Sequence, residues 1–204
     1  MKMKRESPPQ LAAPGAGLPK IELIIARLRF GWARRIRSRE EFSALFENER
    51  AQILRLAGLC DAETGARPVL IDRIRGMEDS SRYWSVFMTL DHLRIVNLAI
   101  AAAIRALGKG ELPDRVASTA DVKPNPAADI TAIDEFDRSC EFLSKCARQV
   151  PDLNTLKRFK HPWFGPMNAA GWHALGAVHM RIHRKQIERI LQGNGDAAAD
   201  PAQV

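Results

Sequence analysis

The stretch from about Ser81 to Leu107 sets the terms for the whole chain. It carries no proline or glycine, is apolar almost all round after Leu93, and ends at Gly108-Lys109-Gly110. A helix apolar on every side has to be surrounded by other elements or by lipid. Its best apolar run, Ile95 to Ile104, holds Asn97 and lies between Arg94 and Arg105, too short to span a bilayer. Its cover must therefore come from the rest of the chain.

Three other segments have the right pattern. Glu40 to Leu59 places Phe42, Leu45, Phe46, Ile53, Leu54 and Leu56 at helical intervals, and Thr131 to Val150 does the same with Ile133, Phe136, Cys140, Leu143 and Ala147. A last helix is predicted from an N-cap at Asn168 to about Gln192, stopped by Gly193-Asn194-Gly195. Asp79, Ser80 or Ser81 can cap the central helix, and Thr131 with Asp134 resembles a capping box. The connections 61–79 and 108–128 are rich in Gly and Pro, and no segment shows strand alternation. Four amphipathic helices bury their stripes against one another. The predicted fold is all-α, an antiparallel four-helix bundle over residues 40–192. Residues 1–19, rich in Pro, Gly and Ala, are predicted to be a disordered leader, and 193–204 a disordered tail.

The net charge of +7 belongs to one end of the chain. Residues 1–39 hold ten basic and two acidic residues, so the remainder sums to −1. A neutral body is not organised around phosphate backbones, and no specific nucleic-acid partner is expected. Within 20–39 the arginines accompany a stripe of Ile21, Ile24, Ile25, Leu28, Trp32 and Ile36. The first expectation for this basic amphipathic helix is an extension of the bundle, stripe packed inside, continuous with the next helix or not. Docking on a partner or a second copy, giving a homodimer, ranks next. Membrane contact ranks last. The start of the chain lacks an apolar h-region, so a cytoplasmic location is expected. Cys60, Cys140 and Cys146 are odd in number and form no CxxC, which argues against a disulfide framework or a cysteine zinc site.

Histidines carry the chemistry. His179 and His183 are four residues apart, one turn up the same helix face, a spacing that suits two nitrogen ligands on one ion. His92 is the one histidine of the central helix, among Met88, Val96 and Ala99 on an inward face. Each has a plainer reading, a solvated pair and a satisfied core histidine. The string HMRIH lacks the glutamate of a zinc peptidase. His173, about 240° around the helix from His179, is expected to be exposed. Trp172 shares the face of His179 and can wall a cavity, or simply pack in the core. His161, before Pro162 in a loop, is either a loop hydrogen-bonder or a group at the pocket mouth.

Trp84-Ser85 before His92, then His161-Pro162-Trp163-Phe164-Gly165, then His179-x-x-x-His183 followed by Gln186-Ile187, resembles the DinB-like superfamily of metal-binding four-helix bundles over roughly residues 40–192. The resemblance implies that His92, His179 and His183 are the metal ligands, with zinc or nickel as the divalent ion. It further implies a metal-dependent enzyme acting on a small molecule, a hydrolase or a transferase using a low-molecular-weight thiol. A non-enzymatic metal-binding or interaction module remains the alternative. Three neutral imidazoles leave an ion its full charge and an open position. No general base is evident; Glu47, Asn48 and Gln52 on the helix 40–59 are candidates that nothing ranks.

Overall fold

The structure, a computed structural model, describes residues 9–114 and 116–199; Arg115 and the outermost parts of the expected leader and tail, 1–8 and 200–204, lie outside the described residues. Six helices and four very short strands follow in order: α1 (Lys20–Ile36), α2 (Arg39–Ala57), α3 (Ala62–Ala66), β1 (Val69–Leu70), β2 (Tyr83–Trp84), α4 (Val86–Gly108), α5 (Ala132–Gln149), β3 (Phe159–His161), β4 (Gly165–Met167) and α6 (Ala169–Ala199).

The four helices α2, α4, α5 and α6 form the expected bundle around α4. Leu90, Leu93, Ile100, Ile104 and Leu107 of α4 are fully buried. It is the one described helix long and apolar enough to cross a membrane, and 67% of its most apolar window is buried inside the bundle. Helix directions follow from the pairs that touch. Arg94 meets Glu135 and Asn97 meets Ser139, so α4 and α5 run parallel. Ser43 meets His173 and Glu49 meets Arg181, so α2 and α6 run parallel. Glu47 meets Ser144 while Arg50 meets Asp137, and α2 is antiparallel to α5. The order is up-down-down-up, where the sequence suggested antiparallel neighbours throughout. The α4–α5 connection returns along the length of α4, about 34 Å at 1.5 Å per residue, well within its extended reach.

Several boundaries move, each for a local reason. The cap of α4 is Ser85, whose hydroxyl accepts from Met88 N at 3.0 Å; Asp79–Ser81 form a 3-10 turn instead. Thr131 is the N-cap of α5 but makes no capping bond: its backbone is already helical (φ −63°, ψ −20°), and its hydroxyl is turned back to donate to Asp129. Helix α6 continues through Gly193-Asn194-Gly195: Gly193 lets Val69 approach to where a Cβ would clash, and Asn194 Nδ2 donates to Thr64 O. Those contacts offset the roughly 1 kcal/mol a helical glycine costs. Residues 9–19 are laid down rather than loose, with Ala12 N donating to Asp79 and Gly15 N to Glu78.

Helix α1 departs most from expectation. Ser38, in a reciprocal capping box with Glu41, starts α2 afresh. The stripe is not packed inside: Trp32 is 64% exposed, and Ile21, Ile24, Ile25, Leu28 and Ile36 are exposed with it. The opposite face is held instead. Phe30 is buried against Phe164 with ring centroids 4.7 Å apart, and Arg27 donates to Trp163 O. Arg34 reaches Asn168, and Glu22 pairs with Arg73 and accepts from Gly76 N. These directional bonds fix the orientation that the apolar stripe alone would have reversed.

His173, expected at the surface, is 5% exposed, with Nε2 3.2 Å from Ser43 Oγ. Parallel packing of α2 on α6 covers the face that helical geometry placed outside. Burial, with Arg39 nearby, pushes its pKa down to about 4. The unfolded chain takes up this proton near pH 6.5, so stability is complete above that value and falls as pH drops toward 4, by up to about 3 kcal/mol. His173→Gln should flatten the acid limb of a melting-temperature profile over that window.

Glu49, 2% exposed, accepts from Arg181 Nε at 2.9 Å and Arg184 Nε at 2.6 Å and joins α2 to α6. Glu49→Gln should lower stability by about 1–3 kcal/mol in urea unfolding, with helicity retained, because the part-buried Arg184 is left with Glu188 alone and the more exposed Arg181 loses its Glu49 partner.

Candidate metal centre

Three helical positions converge. His92 enters from α4, His179 and His183 from α6, and antiparallel packing of these helices brings them to one point. His92 Nε2 lies 3.2 Å from His179 Nε2, which lies 3.1 Å from His183 Nε2. One ligand nitrogen from each falls within 4.8 Å of the others, and no fourth His, Cys, Asp or Glu among the described residues joins them.

The protons show what the cluster needs. His92 Nδ1 is 2.6 Å from Val122 O, a pure acceptor, so the proton sits on Nδ1 and Nε2 is bare. His183 Nδ1 donates to Gln186 Oε1 at 2.6 Å; Gln186 is fixed in that sense because its Nε2 donates to Ser81 O at 2.7 Å. Two lone pairs therefore point at His179 Nε2, which holds at most one proton. His179 Nδ1 is buried with no partner. Burial drives the His92 pKa down to about 4. His179 and His183 are held well below the usual imidazole value by burial first and by their neighbours' charge second. Neutral imidazoles aimed at one point repel unless a cation sits there. Nitrogens 3.1–3.2 Å apart share an ion at about 2.0–2.1 Å with an N–ion–N angle of about 100°, between octahedral and tetrahedral values. The cluster is compatible with a divalent metal.

The surrounding residues explain the sequence motifs. Trp84 stacks on His183 at 11° and tilts against His92, while Ser85 starts α4. Lys123 lies 5.3 Å above the Trp84 ring and pairs with Glu78. The turn His161-Pro162-Trp163-Phe164-Gly165 is a tight hairpin between β3 and β4, closed by Gly165 at φ +71°. His161 Nδ1 accepts from the backbone N–H of Trp163 and Phe164, so its proton is on Nε2. Burial pushes its pKa down to about 4.

The histidines form the floor of a cavity of about 1390 Å³, above the roughly 300–1,000 Å³ common for ligand pockets. Its walls are the outer faces of α4 and α6, including Val96, Ile100, Leu175 and Ile182, with α1 across them as a strap. Both Trp172 and His161 line it, their rings 5.4 Å apart. Glu47, Asn48 and Gln52 do not; Glu47 is spent on Arg50 and Ser144. Val122 and the strap residues were missed at the sequence level. Val122 contributes only a backbone carbonyl, which leaves no mark in a side-chain pattern.

Together these features define a histidine-centred four-helix bundle able to hold a metal beneath an apolar cavity. A sequence model of the DinB superfamily matches residues 45–187, and the chain belongs to that superfamily. No curated protein matches it. Among solved structures it is similar to TT2238, described as a four-helix bundle protein, with 22% identity, a TM-score of 0.55, and coverage of 74% of this chain and 98% of that one. That likeness supports the bundle.

His179→Ala should abolish stoichiometric zinc binding in elemental analysis while far-UV circular dichroism stays unchanged, since the core does not pass through this ring. Gln186→Leu should keep one ion per chain but weaken its affinity about 10- to 100-fold in chelator competition, because the His183 tautomer is no longer held.

Proposed function

We propose that the protein is a divalent-metal-dependent enzyme of the DinB type, holding zinc or nickel on His92, His179 and His183. It acts on a small molecule whose apolar body lies in the cavity, as a thiol-dependent transferase or a hydrolase. The observation that carries this reading is the set of three imidazole nitrogens converging on one point and facing a large apolar cavity, with no fourth ligand among the described residues. A purely structural ion would be expected to sit in a closed shell of four protein ligands.

A divalent ion bound there would supply positive charge that favours an anionic sulfur or oxygen partner near neutral pH. The chain's own residues do the rest. Val122 and Gln186 hold two rings with their lone pairs inward. The cavity walls and α1 limit water around a bound substrate. His161 offers a neutral Nε2–H, a donor suited to orienting a carbonyl or leaving group rather than to removing a proton. Cys140 Sγ accepts from Asn97 inside the bundle, and its thiol is pushed far up by burial, so it is not the thiol in question.

Cobalt substitution separates the possibilities. The cobalt-loaded chain should take up one ion, and a low-molecular-weight thiol should add a near-ultraviolet sulfur-to-cobalt band. A spectrum insensitive to thiols but titrating with pH points to the hydrolase form. A chain that binds no ion, or an ion that responds to neither, would overturn the enzyme reading in favour of a binding module.

A further inference from the structure

The outer face of α1 is the most conspicuous unpartnered surface among the described residues. Ile21 is 76% exposed, Leu28 68% and Trp32 64%, and they run in one line with Ile24, Ile25 and Ile36. The helix is not free to roll this face inward, because Phe30, Arg27, Arg34 and Glu22 hold its other side. At about 100° per residue, Lys20 and Arg29 flank the stripe on opposite sides and Arg35 lies within it, between the lines of Ile24 and Leu28. All three are exposed, and none makes an ion pair among the described residues.

The stripe also continues inward. Ile21 and Ile25 belong both to the exposed face and to the lining of the cavity. Leu112 and Val116 of the α4–α5 connection, 52% and 83% exposed, line the same cavity. One apolar surface therefore passes from the outside of α1 into the chamber above the histidines. What covers it must be apolar in depth and anionic at its face. A second copy fits poorly: an isologous contact through α1 would set two helices of strong positive charge against each other. An acidic protein would answer the arginines but not the apolar entrance.

We infer that α1 docks flat on an anionic lipid surface, arginines at the headgroups and the Ile/Leu/Trp stripe below them, with the cavity entrance facing the bilayer. Membrane contact ranked last from the sequence because the stripe was expected to be consumed inside the bundle. With the stripe outside, that ground is gone. The inference does not rest on a metal at the histidines.

The test is co-sedimentation of the full chain with vesicles of phosphatidylcholine alone or with one third phosphatidylglycerol, at low salt and at about 0.5 M salt, where screening confines charge effects to a few Å. Binding should favour anionic vesicles at least about tenfold and fall by a similar factor at high salt. Leu28→Gln with Trp32→Gln should remove binding without moving the melting temperature, both side chains being exposed. Lys20→Gln with Arg29→Gln and Arg35→Gln should bring anionic vesicles down to the level of neutral ones. His179→Ala should bind vesicles like the parent, which keeps this result separate from the metal centre. No binding to anionic vesicles at low salt would overturn the inference. So would equal binding by the Leu28/Trp32 variant, a solution dimer that shields Trp32, or polyglutamate competing as well as the vesicles.

Discussion

Everything in this fold that bears on chemistry depends on holding unprotonated imidazole nitrogens face to face. Such an arrangement is unfavourable by itself, so it must be imposed from outside. The protein does this by securing the far nitrogens. Val122 O takes the His92 proton and Gln186 Oε1 takes the His183 proton, while Gln186 is itself tied to Ser81 O. Three distant stretches of chain are needed for this: the turn before α4, the long return connection, and the second half of α6. Up-down-down-up connectivity brings them together, since a short α4–α5 hairpin would have carried no backbone past His92.

Around that centre the molecule has two kinds of interior. The bundle core is apolar and enclosed, with Ile53, Leu93, Phe136 and Ile187 all fully buried. The cavity is the opposite, a wide apolar space between α1 and the outward faces of α4 and α6. The histidines sit on the boundary. Stability is drawn from the bundle and from ionic ties such as Glu49 to Arg181 and Arg184, and the cavity takes part of its wall from core residues such as Ile100 and Trp172.

Periodicity disclosed the bundle and the His179/His183 pair, as stripes at three and four residues and histidines at four; His92 was added as the lone histidine of the central helix and by the family resemblance. The sequence did not disclose which neighbour a helix would choose. His173 was placed outside by its angle from His179, yet parallel packing of α2 covers that angle as well. Asn168 was read correctly as the start of α6, whose Oδ1 accepts from Gly171 N. Its end was misread, because the partners of Gly193 and Asn194 are Val69 and Thr64, far away in sequence. The paired strands are two or three residues long, too short for alternation to register. For α1, periodicity identified the apolar face but could not say which way it turned.

The superfamily match begins at residue 45, whereas α1 and the strand of chain before it lie upstream. The histidine floor and its roof thus belong to different stretches of the polypeptide, separated along the chain by the break at Ser38. Mutations that reshape the roof leave the spacing of the three histidines untouched. What the cavity admits is therefore set by an N-terminal segment that can change without disturbing the nitrogens beneath it.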